Sequence, residues 1–208
     1  QVMTGTSWAV IDDREHYRTM KQLYTTPMNA YFYMMGRGVA KLIVASISVL
    51  IILTFGVLVF HLPLDIRTIN WPLFISSTIL GILSIASLGI ILGGMTLSMA
   101  RHFWAVGEAV GGVLYLFTGA IFPLETLPSW LRPIGYIFPV TYWLELARRA
   151  LLGDKVSRFP TLGQFSDAQL LGILGVFTLA LLITSSLFFE RMLHVAREKG
   201  MIDMETSY

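Results

Sequence analysis

Glu108 is the one carboxylate in an otherwise apolar run from His102 to Leu124. An ionisable group inside a membrane-length stretch is costly and marks a transport route, a proton relay or a structural polar contact. It stands about two turns from Arg101, where it can line a pathway, reach water or partner His102. Glu145 lies three residues before Arg148 and four before Arg149, spacings that bring either guanidinium to the carboxylate on a helix surface. His16, His61, His102 and His194 are scattered singly, so none forms a pair at metal-ligand spacing, and they read as solvated or interfacial. The chain contains no G-x-x-x-x-G-K-[ST], no G-x-S-x-G and no H-E-x-x-H. Polar groups nowhere converge as a catalytic constellation would require, so no catalytic residue, metal ligand or bound cofactor is expected and the chain reads as a non-enzyme. It has no cysteine, which excludes disulfides, zinc thiolates and cysteine nucleophiles.

The elements that carry these residues are apolar helices. Of 208 residues, 55% are hydrophobic and 13% charged, with mean hydropathy +0.68; a soluble domain carries about 25% charged residues. A net charge of +2 with no basic run gives no phosphate-binding stripe, so nucleic acid is excluded as a partner. Uncharged or nearly uncharged stretches predict complete spans at 38–60, 71–100, 103–123 and 168–189. At 1.5 Å per residue the second would reach about 45 Å, beyond the roughly 30 Å hydrocarbon core, so it tilts or sets Trp71 in the interface. Residues 1–11, "QVMTGTSWAVI", are too short to cross and follow no signal-peptide pattern. They read as the end of a further span, or alternatively as an interfacial helix. The expected fold class is an all-α polytopic transmembrane helix bundle, since lipid-exposed backbone must satisfy its own hydrogen bonds and nothing alternates as barrel strands would.

Alternation of the spans puts 12–41, Arg101 and 190–208 on one side with nine Lys and Arg, against six on the other. The positive-inside rule makes the nine-residue side cytoplasmic, including 12–37 and the C-terminus. "GIILG" at 89–93 and "GEAVG" at 107–111 permit close helix approach, read as internal packing.

Two connecting segments stand out. In 13–26, Asp12 and Asp13 suit a helix N-terminus, and Tyr17, Met20, Leu23 and Tyr24 form an apolar face. Pro27 stops this amphipathic helix, which either lies in the headgroups or docks a cytoplasmic partner. In 125–153 the prolines Pro123, Pro128, Pro133 and Pro139 interrupt an aromatic, apolar stretch. Pro128 suits the start of one short helix, with Thr126 as cap, and Pro133 keeps it short. Pro139 starts a second of about 14 residues that Gly153 ends, too short to span. Together they predict a re-entrant hairpin rather than a solvated loop, with Trp130, Tyr136, Tyr142 and Trp143 at the interface.

The segment "DREHYRTMKQLYTTPMNAYFYMMGR" resembles the cytoplasmic loop of type-2 ABC transporter permeases, the drug, polysaccharide and lipid exporter class, with its "ERExGTLExLLxTP" pattern. Arg14, Glu15, Thr19, Leu23, Thr26 and Pro27 fall on that pattern; Tyr17, Arg18 and Lys21 depart from it. The segment "TGAIFPLETLPSWLRPIGYIFPVTYWLELARRALLG" is similar to the family's "SGxFFPLxxLPxWLxxIxxxxPLTYxLExLRxxLLG". Gly119, Phe122, Pro123, Leu127, Pro128, Trp130, Leu131, Pro139, Thr141, Tyr142, Glu145, Arg148 and Gly153 match, without a gap.

The resemblance implies spans three to six of a six-span permease with the end of span two, and two short extracellular helices bearing Pro128, Trp130, Pro139, Tyr142, Glu145 and Arg148. It implies that 13–26, with Asp13, is the coupling helix seated on an ABC ATPase subunit, two copies of which bind ATP and Mg while this chain binds none. A second permease subunit, identical or related, would complete a pathway lined by the spans at 71–100 and 103–123. Glu108 would contact the route, with Phe122 and Pro123 at an outer gate. The expectation is the membrane subunit of an ATP-driven exporter in the cell membrane, its cargo open among drugs, lipids, glycans and peptides. A secondary transporter or a membrane scaffold is the alternative.

Overall fold

The computed structural model describes residues 30–60, 67–98, 103–153 and 162–198. The expected partial span at 1–11 and coupling helix at 13–26 lie outside them. The described residues form helices α1 (Ala30–Phe60), α2 (Trp71–Ser98), α3 (Phe103–Phe117), α4 (Arg132–Ile137), α5 (Pro139–Leu152) and α6 (Asp167–Glu198), with a 3-10 turn at Leu124–Thr126. The structure is all-helical among the described residues. Among the described residues, three helices are long and apolar enough to cross a membrane, at Tyr31–Phe60, Trp71–Met95 and Asp167–Ala196.

Their surfaces suit lipid. On α1, Ile43, Leu50, Ile51 and Leu58 are 58%, 64%, 64% and 71% exposed, a disposition that water would penalise and hydrocarbon does not. Small hydroxyls point the other way: Ser77, Ser84, Ser87, Thr178 and Ser185 are buried. Ser84 Oγ returns its proton to the Gly81 carbonyl at 2.8 Å, and Thr178 Oγ1 to that of Leu174 at 2.7 Å, so no hydroxyl is stranded where solvent is absent.

Two helices outrun the spans expected of them, and one expected boundary is corrected. The helix carrying the span expected at 38–60 is already formed at Ala30, where Met34 and its neighbours Tyr31, Tyr33 and Met35 continue the helical face into a core with Ile90, Phe189, Leu193 and Ala196. The helix carrying the span expected at 168–189 runs from Asp167 to Glu198, where Phe189, Leu193 and Ala196 carry the same buried stripe past the last apolar run. The span expected at 103–123 is helical only to Phe117. At 15 residues that helix is about 22 Å long, short of a full crossing.

The chain divides into two compact units. One takes Gln1–Ser46, Ile85–Gly111 and Leu181–Tyr208; the other takes Ile47–Ser84 and Gly112–Ala180. The first holds the core just named, and Tyr31 Oη reaches Ser185 Oγ at 3.3 Å. The second is built on Tyr142, Leu146, Leu162, Leu170 and Leu174, with Leu73, Leu80, Trp143 and Phe177 packed around them. Tyr142 stacks on Phe177 with ring centroids 5.6 Å apart. The Asn70 N–H donates to the Ala150 carbonyl at 3.0 Å, fastening the head of α2 to the end of α5.

Two close approaches in this unit leave no room for a side chain. A Cβ on Gly81 would overlap Trp143 Cγ, the root of the indole, which rotation of the ring does not move, and one on Gly135 would overlap the Phe117 carbonyl oxygen. Gly81→Ala and Gly135→Ala should therefore each cost at least the roughly 1–3 kcal/mol typical of overpacking. Thermal unfolding in detergent micelles reads both losses; an unchanged midpoint in Gly135→Ala would show that α4 does not rest on the end of α3.

Candidate functional site

The described residues place the conspicuous chemistry in 117–167, inside one unit. It begins where α3 stops. Thr118 donates from both its N–H and its Oγ1 to the Leu114 carbonyl, at 3.0 and 2.5 Å. Gly119 then turns left-handed at φ 75°, a conformation that costs a residue with a Cβ roughly 1–2 kcal/mol. Its carbonyl accepts a hydrogen bond from Arg148 Nη2. The chain bends through Phe122 and Pro123 into the 3-10 turn, whose Leu124 is wholly buried.

The turn is held from behind. Arg132 Nε donates to the Leu127 carbonyl at 2.9 Å and its Nη2 to that of Glu125 at 2.7 Å. Here the sequence expectation is corrected. Pro128 starts no helix and Thr126 caps none; Thr126 Oγ1 donates to the Pro123 carbonyl at 2.7 Å. The first short helix begins at Arg132, with Pro133 in its first turn. Both prolines suit a helix start; the backward reach of Arg132 keeps 125–131 out of the helix and selects Pro133.

Pro139 opens α5 and Gly153 closes it at φ 52°. The corner at Phe138 is bound on both sides. Thr141 Oγ1 donates to the Gly135 carbonyl at 2.6 Å and Tyr142 Oη to that of Tyr136 at 2.9 Å. Burial, with Tyr136 nearby, pushes the Tyr142 phenol up from its ordinary value, which keeps it a neutral donor.

Of the two pairings open to Glu145, the structure forms the one with Arg149. Arg149 Nε meets Glu145 Oε1 at 3.0 Å, and its Nη1 meets Asp167 Oδ1 at 3.0 Å. The same guanidinium donates to the Phe165 and Leu162 carbonyls at 2.8 and 3.0 Å. Leu162 holds a left-handed φ of 56° while its side chain is buried in the core; the Arg149 bond and that burial offset the strain. Glu145 is 1% exposed and its Oε2 has no hydrogen-bond partner. Burial raises its carboxyl above the ordinary value of 4.5, and the Arg149 hydrogen bond pulls it part of the way back.

The remaining sequence candidates fall apart rather than together. Glu108 is exposed on α3, and His102 lies outside the described residues, as do Asp13, Arg14, Glu15, Thr19, Leu23, Thr26 and Pro27. Phe122 and Pro123 are half-buried beside Arg148; Pro128 is exposed and Trp130 is 74% exposed; Pro139 is buried. Arg149 carries more of the hairpin than its sequence position suggests. The i, i+4 spacing to Glu145 signals one of its bonds, but nothing local signals Leu162, Phe165 or Asp167.

Removing Arg149 leaves a buried carboxylate uncompensated, which costs about 3–5 kcal/mol. Asp167, 48% exposed, belongs with surface pairs worth about 1 kcal/mol or less. Arg149→Gln should thus lower stability far more than Asp167→Asn. Because the folded carboxyl of Glu145 is raised, its contribution is complete below pH 4.5 and is lost as pH rises through the folded value. The Arg149→Gln deficit should therefore be larger at pH 8 than at pH 5. Unfolding followed across pH checks both statements, and a pH-independent deficit contradicts the second.

Comparison with known proteins identifies the family. A family model described as ABC-2 family transporter protein matches residues 1–187. The chain is 26% identical over 153 residues to the probable multidrug ABC transporter permease YbhR of Escherichia coli K12, covering 74% of this chain and 40% of that protein. It is 29% identical over 157 residues to the inner membrane transport permease YhhJ of the same organism, covering 72% of this chain and 38% of YhhJ. The chain thus spans about two fifths of the length of these relatives. No solved structure matches it significantly. With a family match across most of its length and three membrane-length apolar helices, this multi-pass membrane protein belongs to the ABC-2 family of transporter proteins.

Proposed function

We propose that this chain is the membrane-spanning permease subunit of an ATP-driven ABC exporter. The observation that carries the reading is the match of residues 1–187 to the ABC-2 family; the proline-punctuated hairpin of 118–153 adds a feature suited to an outer gate rather than a span. ATP and Mg bind a separate ATPase subunit, present in two copies. A second permease subunit completes the pathway, and α2 and α3 line it. Residues 12–37 and the C-terminus face the cytoplasm, and the short helices α4 and α5 face outward.

The mechanism is a population shift. ATP binding favours one arrangement of packed interfaces, and the segment 13–26 is the contact that differs between states. The end of α3 with Phe122 and Pro123 gives the outer gate its apolar surface, and Glu108, exposed on α3, offers the route a polar contact. Purification with and without an ATPase subunit tests the assignment: transport by the intact protein with no ATPase present would refute it.

The coupling role has its own test. In the helix expected over 13–26, Leu23 belongs to the apolar face and Glu15 to the charged start. Leu23→Asp and Glu15→Arg should each lower transport-stimulated ATPase activity several-fold while membrane insertion stays intact. Unchanged stimulation in both would remove 13–26 from the coupling contact.

A further inference from the structure

Three arginines lie in and beside the hairpin, and they differ in how their donors are used. A guanidinium carries five N–H donors. Arg132 gives two of its nitrogens to the Leu127 and Glu125 carbonyls. Arg149 gives all three nitrogens to two carboxylates and two carbonyls. Arg148 gives only Nη2, to the neutral Gly119 carbonyl. Among the described residues its Nε and Nη1 have no hydrogen-bond partner and it forms no ion pair, although it attracts the Glu145 carboxylate three residues back through space.

Arg148 also lines a cleft. With Ile121, Phe122, Pro123 and Leu152 it encloses about 260 Å³, so a half-buried cation with unused donors sits in an otherwise apolar wall. Clefts that hold a whole small molecule measure about 300–1,000 Å³. This one is too small for a drug-sized body but admits one charged group. Its rim continues onto lipid-type surface, since Ile121 is 68% exposed.

We propose that this cleft binds the phosphate of an anionic phospholipid, held by the Arg148 fork, with the acyl chains lying outside along Ile121. The chemistry of the site fits: guanidinium and phosphate match through two parallel N–H···O bonds, and the Nη2 N–H not given to Gly119 supplies one of them beside its parallel neighbour on Nε or Nη1. A zwitterionic headgroup presents the same phosphate beside a fixed positive charge, which the arginine repels. The assignment concerns lipid retention and needs neither ATP nor transport, so it stands apart from the permease reading.

Native mass spectrometry of the full protein in detergent tests it, with phosphatidylglycerol, phosphatidylcholine and inorganic phosphate as probes. The wild type should retain phosphatidylglycerol over phosphatidylcholine. Arg148→Gln should weaken that retention about tenfold or more, the loss of a charge-assisted contact. Because Arg148 also holds Gly119, Leu152→Trp supplies a second variant that fills the cleft and leaves the Gly119 bond in place; it should weaken retention equally. Equal retention in all three proteins would overturn the site. Loss in Arg148→Gln alone would also overturn it, tracing the effect to the Gly119 bond. Displacement of phosphatidylglycerol by equimolar inorganic phosphate would assign the cleft to soluble anions and overturn the lipid.

Discussion

A carbonyl that leaves a helix in an apolar setting must find a donor within the protein, and this requirement organises the hairpin more than any other. Between Phe117 and Asp167 the chain leaves helical geometry repeatedly. The freed oxygens of Gly119, Glu125, Leu127, Leu162 and Phe165 all accept from arginine. Those of Pro123, Gly135 and Tyr136 accept from hydroxyls. Prolines create the breaks; arginine and hydroxyl side chains make them tolerable.

The same requirement explains why charge survives in so apolar a chain. Arg149 is 16% exposed and Glu145 1%, burial that an isolated ion would not sustain. Each is retained by its neighbours: the carboxylate by one guanidinium edge, the guanidinium by two carbonyls and a second carboxylate. Asp167 then opens α6, where a negative charge suits the helix N-terminus. One ion pair thereby joins the end of α5 to the start of α6.

Much of this was legible in the sequence. The long apolar helices follow from composition and α5 from Pro139 and Gly153, while spacing left Glu145 open to Arg148 or Arg149 and the fold decided for Arg149. The places where sequence reasoning went astray share a cause, namely contacts between residues distant along the chain. Pro128 and Pro133 are equivalent by local rules, and only the reach of Arg132 back to Glu125 and Leu127 separates them. The 103–123 stretch is uniformly apolar, so nothing in its hydropathy marks the left-handed turn at Gly119. Helix α6 outlasts its apolar run because Phe189, Leu193 and Ala196 meet Met34 and Ile90, far away in sequence. Hydropathy reports where a helix suits lipid; it does not report where a helix is held by another.

The bound corner at Phe138 has a mechanical meaning. With Thr141 and Tyr142 tied back to Gly135 and Tyr136, α4 and α5 behave as one bent lever. Its short arm abuts the Phe117 carbonyl through Gly135, and its long arm ends at Ala150, whose carbonyl grips Asn70. The end of α3 and the first turn of α2 are thereby linked through a single bent element.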